Sequence, residues 1–161
     1  MVQKQTITYL TGDATVPQGP GPKFIVHICN DGGGWGKGFV VAVSKKWPEP
    51  EREYRRWHKL GGAQPFELGQ VQFVNVETDI WVANMIGQHG MRTIGGMPPV
   101  RYDAIETGLK QVAAFAQKHQ ASVHMPRIGC GLAGGKWEEI EPIIERALVA
   151  KGIDVTVYDL A

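Results

Sequence analysis

The chain has 161 residues, with 43% apolar and 20% charged side chains, and Lys plus Arg at 17 against Asp plus Glu at 16. That length and composition describe one folded domain over residues 1–161 and exclude a disordered chain. The net charge of +1 excludes the broad basic footprint of a duplex-DNA binder. With no run of about 18 apolar residues, no membrane span is expected. The opening MVQKQTITYL lacks the apolar stretch of a secretory leader, so a cytoplasmic protein is expected.

In chain order, residues 7–10 read as a short strand and residues 11–23 as a Gly/Pro loop. Residues 23–29, Lys-Phe-Ile-Val-His-Ile-Cys, form an almost continuous apolar run, as in a strand buried on both faces. A first glycine loop, Asn30-Asp-Gly-Gly-Gly-Trp-Gly-Lys-Gly38, follows it. Phe39, Val40, Val43 and Trp47 then have helical spacing, and Trp47-Pro48 closes that helix. Pro50 is expected to open a second helix, with Tyr54 and Trp57 on one face and Gly61-Gly62 at its end. Residues 71–75 and 80–86 read as strands, and residues 87–100 as a loop.

Tyr102, Ile105, Leu109, Val112, Ala113 and Ala116 line one face of a third helix. Residues 122–125 form a strand that runs into a second glycine loop, Pro126-Arg-Ile-Gly-Cys-Gly-Leu-Ala-Gly-Gly135. Pro142 is expected to open the last helix, and Val155, Val157 and Leu160 belong to a last strand. Strands alternating with helices predict an α/β/α sandwich around a mixed, mostly parallel sheet. In such sheets ligands bind outside the carboxyl ends of the strands.

Glycine is the unusual number, 21 of 161 residues. A glycine loop that enters a helix presents free N–H groups and a positive dipole end to an anion. Both loops fit that description, and neither matches a Walker A or dinucleotide-binding pattern. A tight turn is the alternative for either loop alone; two at equivalent strand ends suggest a joint phosphate cradle. Asp13, directly after Gly12, has the chemistry to accept a hydrogen bond from an adenine amino group, with turn chemistry as the alternative. Tyr158 near the last strand end is a candidate stacking partner for a base, or an ordinary core aromatic. Asn30 and Asp31 sit beside the first loop, where turn chemistry again competes.

These residues resemble a macrodomain, the ADP-ribose-binding α/β/α fold. The resemblance is carried by TGDAT at residues 11–15, VHICNDGGGWGKGFVVAVSKKWP at 26–48, MPRIGCGLAGGKW at 125–137 and VTVYDL at 155–160. It covers essentially the whole chain and is nearest to the small subclass containing terminal ADP-ribose protein glycohydrolase. The resemblance implies that Asp13 and Gly12 meet the adenine, with Tyr158 nearby. Asn30, Gly34, Trp35, Gly36, Lys37 and Gly38 would surround the distal ribose and phosphates. Arg127, Gly129, Cys130, Gly131 and Leu132 would hold the diphosphate. That glycohydrolase carries a lysine where this chain has Gln88, and an aspartate where it has Ala133.

The expected function is therefore hydrolysis of ADP-ribose from modified protein, with nucleic acid as a possible target and acyl esters of Glu or Asp as the linkage. Asn30, Asp31, Gln88 and His89 are the candidate catalytic residues, with Asp31 as base and His89 as acid or base. A non-catalytic ADP-ribose reader is the alternative. No cofactor and no metal are expected, because Cys29 and Cys130 alone supply too few soft ligands.

Overall fold

The computed structural model describes residues 6–160; residues 1–5 of the opening stretch and Ala161 lie outside it. Six strands form one sheet: β1 (Thr8–Thr11), β2 (Lys23–Asn30), β3 (Val71–Glu77), β4 (Ile80–Gln88), β5 (Ser122–Met125) and β6 (Val155–Asp159). Their order is β1-β6-β5-β2-β4-β3. Every neighbouring pair is parallel except β3 with β4. Five carboxyl ends therefore open on one edge of the sheet, where a ligand site is expected.

Among the described residues, four α-helices complete the sandwich: α1 (Phe39–Lys46), α2 (Glu49–Leu60), α3 (Tyr102–His119) and α4 (Trp137–Ala147). Side chains alternate across the sheet. Phe24, Val26, Ala83 and Met85 pack in one core with Ile105 and Leu109 of α3 and Ile140 and Ile144 of α4. Ile25, Cys29, Val82 and Ile86 pack in the other with Val43 of α1 and Tyr54 and Trp57 of α2. Leu109 and Ile144 are wholly buried, each worth roughly 1.5–3 kcal/mol over an exposed position. No helix among the described residues is long and apolar enough to cross a membrane.

The helix boundaries correct two sequence expectations. Pro142 lies inside α4 rather than opening it. The helix starts upstream because Ile140 belongs to its buried face and Glu138 and Glu139 suit the positive end of the helix dipole. Pro50 is the second residue of α2, with Pro48 at its cap. Leu160 falls past β6 and is 81% exposed.

Candidate functional site

Three adjoining cavities run along the carboxyl edge and share walls, so they make one groove. The broad end, about 820 Å³, lies between the β1 loop, α1 and the end of β6, with Gly12, Asp13, Val16 and Tyr158 in its wall. The middle, about 330 Å³, shares Gly38, Phe39 and Pro126 with the broad end and is roofed by residues 129–133 of the second glycine loop. The narrow end, about 360 Å³, shares Ile28, Lys37, Gln88 and Leu132 with the middle. It adds Asn30, Gly34, Gly36, Met91 and Arg92.

Local chemistry explains why the broad end holds its shape. Oδ1 of Asp13 accepts from the Thr15 N–H and Oγ1, both at 2.8 Å, so the aspartate closes its own turn and keeps Oδ2 without a protein partner. The Tyr158 hydroxyl accepts from the Gln18 N–H at 2.9 Å and meets His124 Nδ1 at 2.7 Å; His124 Nε2 lies 2.7 Å from Ser122 Oγ. This chain fixes the tyrosine ring as a wall. Burial, helped by the nearby Lys23 charge, pushes the His124 pKa down to about 4, so the ring stays neutral. Lys46 Nζ donates to Thr15 O at 2.6 Å and ties α1 to the β1 loop.

In the middle, Gly131–Ala133 form a short helical turn that lines the groove. Gly131 has φ 68 and nothing within 4 Å of where a Cβ would stand, so a side chain there would be strained and would project into open space. Cys130 lines this section, and burial raises its thiol pKa. A raised pKa lowers the thiolate fraction near neutrality. Ala133 is buried, and its carbonyl accepts from the Val100 N–H at 3.0 Å.

The narrow end is polar, and most of its groups hold one another. Asn30 Oδ1 accepts from the Gly32 and Gly34 N–H groups at 2.9 and 3.1 Å, and Nδ2 donates to Gly34 O at 2.9 Å. The side chain thus shapes the first glycine loop and retains one free N–H. Gln88 sits beside Asn30 in the sheet register and donates Nε2 to Gly90 O at 2.9 Å, with Oε1 left as a free acceptor. Asp31 pairs with His89 Nδ1 at 2.6 Å and accepts from the Gly90 N–H at 2.9 Å. Burial works to raise the Asp31 pKa, but the His89 ring and the Gly90 amide together hold it below the usual carboxylate value. Asp31 and His89 cross-link the loops on the rim; the narrow cavity is lined by neither.

Two expected ligand residues have side chains engaged by other protein groups. Trp35 is 7% exposed, with Nε1 donating to Ser44 Oγ at 2.7 Å and its ring packed against His27 and Tyr54. Its side chain is core beneath the loop. Arg127 borders the middle section, yet its guanidinium makes a bidentate pair with Asp159 at 2.6 and 3.0 Å and lies over the rings of Tyr9 and Trp137.

The sequence reading missed Val41, Ala42 and Lys45, which line the broad end. With Gly38 they fall at i, i+3, i+4 and i+7, and the 41% exposure of Val41 is the trace of that open face. It also missed the floor. His27 is 1% exposed and lines the middle section. Its Nε2 donates to Asn84 Oδ1 at 2.6 Å, because Asn84 Nδ2 is already given to Pro50 O and Gln72 Oε1. Burial pushes its pKa down to about 4, leaving Nδ1 as an unpartnered acceptor. No three His, Cys, Asp or Glu side chains gather as a metal site among the described residues.

No family model matches the chain. A protein of unknown function from Bacteroides thetaiotaomicron has a structure with TM-score 0.95 and 61% identity, over 98% of this chain and 100% of that one. A macrodomain protein from Streptomyces coelicolor gives 0.85 at 57% identity, over 95% of this chain and 98% of that one. The chromodomain-helicase-DNA-binding protein 1-like of Mus musculus is 33% identical over 160 residues, 95% of this chain, and the chain spans only 18% of that protein. An ADP-ribose 1''-phosphate phosphatase from Lodderomyces elongisporus is 24% identical, over 95% of this chain and 98% of the enzyme. A DNA ADP-ribosyl glycohydrolase from Thermus aquaticus is 27% identical, over 84% of this chain and 37% of the enzyme.

Proposed function

The chain belongs to the macrodomain family, and on that premise we propose that its groove binds ADP-ribose. The adenine occupies the broad end, the diphosphate lies between the glycine loops, and the distal ribose enters the narrow end. The observation that carries this reading is the continuity of the three cavities past both glycine loops at the carboxyl edge of the sheet. The names of the fungal phosphatase and the Thermus aquaticus glycohydrolase support the same ligand.

The proposed reaction is hydrolysis of the bond from C1″ of the distal ribose to a Glu or Asp side chain of a modified protein. That bond breaks through an oxocarbenium-like state. Water adds to C1″, the side chain leaves as a carboxylate, and the water's proton passes to solvent. No carboxylate or histidine lines the narrow cavity among the described residues. Leaving groups that must be protonated are thus poorly served, whereas a carboxylate needs little acid help. Gln88 Oε1 and the free N–H of Asn30 are available to orient the water, and Lys37 and Arg92 also line the cavity.

A second reading, a reader without turnover, draws on one observation: Asn30, Asp31 and His89 are hydrogen-bonded into the loop framework. Incubation with conjugates of defined linkage separates the two. Release of ADP-ribose from acyl esters faster than from other linkages supports the hydrolase. Tight ADP-ribose binding with release at the no-enzyme rate on every linkage supports the reader.

A further inference from the structure

The carboxyl end of β2 is anchored from α2 by a side chain that lines none of the three sections of the groove. Tyr54 is wholly buried, and its ring packs against Trp35 and Phe66 with centroids 5.4 and 5.6 Å away. Its hydroxyl donates to Asn30 O at 2.5 Å and lies 3.3 Å from Asn30 Oδ1. Burial first, and the nearby Cys29 thiol after it, push the phenol pKa up, so the group keeps its proton and acts as a donor. Packing alone would be served by Phe. A buried hydroxyl costs free energy unless it is bonded, and this one spends its proton on a single peptide.

That peptide, between Asn30 and Asp31, is where β2 passes into the first glycine loop. Its carbonyl is held by Tyr54, and its N–H donates to Gln88 O at 3.1 Å. The register of β2 against β4 slips at the same point. Cys29 faces Ile86, but Asn30 faces Gln88, which leaves Gly87 as an extra residue. Such a bulge re-aims side chains at a strand end. At Gly87 a Cβ would stand 3.1 to 3.2 Å from the Ile28 and Ile105 side chains, so the extra residue is tightly enclosed.

The slip sets Asn30 and Gln88 side by side, and both line the narrow cavity. The loop then hangs from the Asn30 side chain, whose Oδ1 accepts from the Gly32 and Gly34 amides. Tyr54 holds the backbone from which that side chain projects.

We infer that Tyr54 is the positioning residue of the narrow end: by holding the Asn30–Asp31 peptide it fixes the Asn30 amide beside Gln88 without touching the ligand. The inference rests on the proposed placement of the distal ribose at that end. Tyr54→Phe keeps the ring and removes the bond. Val82→Ala is the control, because Val82 is wholly buried in the same core and pairs with Ile25, five residues before Asn30. Two readouts apply to both variants. One is kcat and KM on an acyl-ester conjugate of ADP-ribose, and the other is amide hydrogen exchange at Gly32 and Gly34.

Tyr54→Phe is expected to lower kcat about tenfold, the scale of one positioning group, with KM within about twofold. Exchange at Gly32 and Gly34 should rise about tenfold relative to the Val26 amide in the middle of β2, because the loosening is local. Val82→Ala should move neither readout, whatever its loss of stability in urea. In an Asn30→Ala background Tyr54→Phe should lower kcat by less than about twofold further, since both act through one side chain. Wild-type kcat together with wild-type exchange in Tyr54→Phe overturns the inference. So does a control that loses as much kcat as Tyr54→Phe, which would reduce the hydroxyl to a contribution to stability. A wild type that releases no ADP-ribose from any linkage overturns the hydrolase reading alone. Exchange at Gly32 and Gly34 still decides on Tyr54 in that case, supporting the anchor where it rises and overturning it where it does not.

Discussion

The two ends of the groove are built on opposite plans. At the broad end, most polar groups are engaged by the protein: Tyr158 spends its hydroxyl on Gln18 and His124, and Asp13 spends one oxygen on Thr15 and keeps the other. What remains is a wide, mainly aliphatic and aromatic wall set by packing. At the narrow end the polar groups stay at the cavity, and the loops that carry them are held by hydrogen bonds from Asn30, Asp31 and Gln88. A wall fixed by packing suits affinity, and a wall fixed by polar loops suits discrimination. The glycine turn between them must serve both, so damage there has the greatest reach.

Gly131→Val is expected to produce the largest effect. A β-branched residue at φ 68 is strained by about 1–2 kcal/mol, and its side chain would stand in the proposed diphosphate path. ADP-ribose affinity should fall at least about a hundredfold, as expected when phosphate-binding amides are blocked, and AMP affinity should fall less. Calorimetry with both ligands checks this. Equal losses for the two would place the diphosphate elsewhere.

Acid separates the two ends next. His27 and His124 are buried and neutral, each with its pKa pushed down to about 4 by burial. In the unfolded chain they titrate near 6.5. Between about 4 and 6.5 the unfolded chain binds more protons, so stability present above 6.5 is lost as pH falls through that window. The loss should reach the order of a few kcal/mol in all. Urea titrations from pH 7 to pH 4 measure it, and a double variant His27→Gln, His124→Gln should flatten the slope. The Asp31 contribution has the lower window: it is present above the unfolded carboxylate pKa and is lost only as pH falls through the depressed folded value.

Asp13→Ala tests the broad end alone. Loss of a charge-assisted bond to the adenine amino group predicts a drop of roughly 1–3 kcal/mol in affinity, and an inosine analogue should bind mutant and wild type alike. A mutant that still prefers adenine by the wild-type margin would leave Asp13 only its turn with Thr15.

The sequence was most readable where periodicity or glycine spacing mattered. The run at residues 23–29 fits its place in the middle of the sheet, and both glycine loops fall at strand ends. Side-chain direction within loops was not readable. Trp35 looks like a ligand residue until Ser44, nine positions on, takes its Nε1. That Arg127, at the wall of the middle section, pairs with Asp159 was not readable either, because the two are distant in sequence. The His27–Asn84 pair had a trace, since each is a polar residue within an otherwise apolar strand, but only the register of β2 against β4 sets the two side by side.

His89→Ala is expected to give the smallest effect, and it decides how the narrow end works. The imidazole side chain is 58% exposed, so its bond to Asp31 is a surface pair worth at most about 1 kcal/mol. Asp31 keeps the Gly90 amide without it. Since the narrow cavity is lined by neither Asp31 nor His89, ADP-ribose affinity should hold within about twofold. Turnover of an acyl-ester conjugate should fall by less than about threefold, within what such a surface pair can contribute. Gln88→Ala removes a group that lines the cavity and should cost about tenfold or more in turnover, the scale of one positioning group, with affinity changed far less. A reversed order, with His89→Ala costing a hundredfold and Gln88→Ala almost nothing, would mean that the rim pair swings inward on the bound ribose and acts as its acid and base.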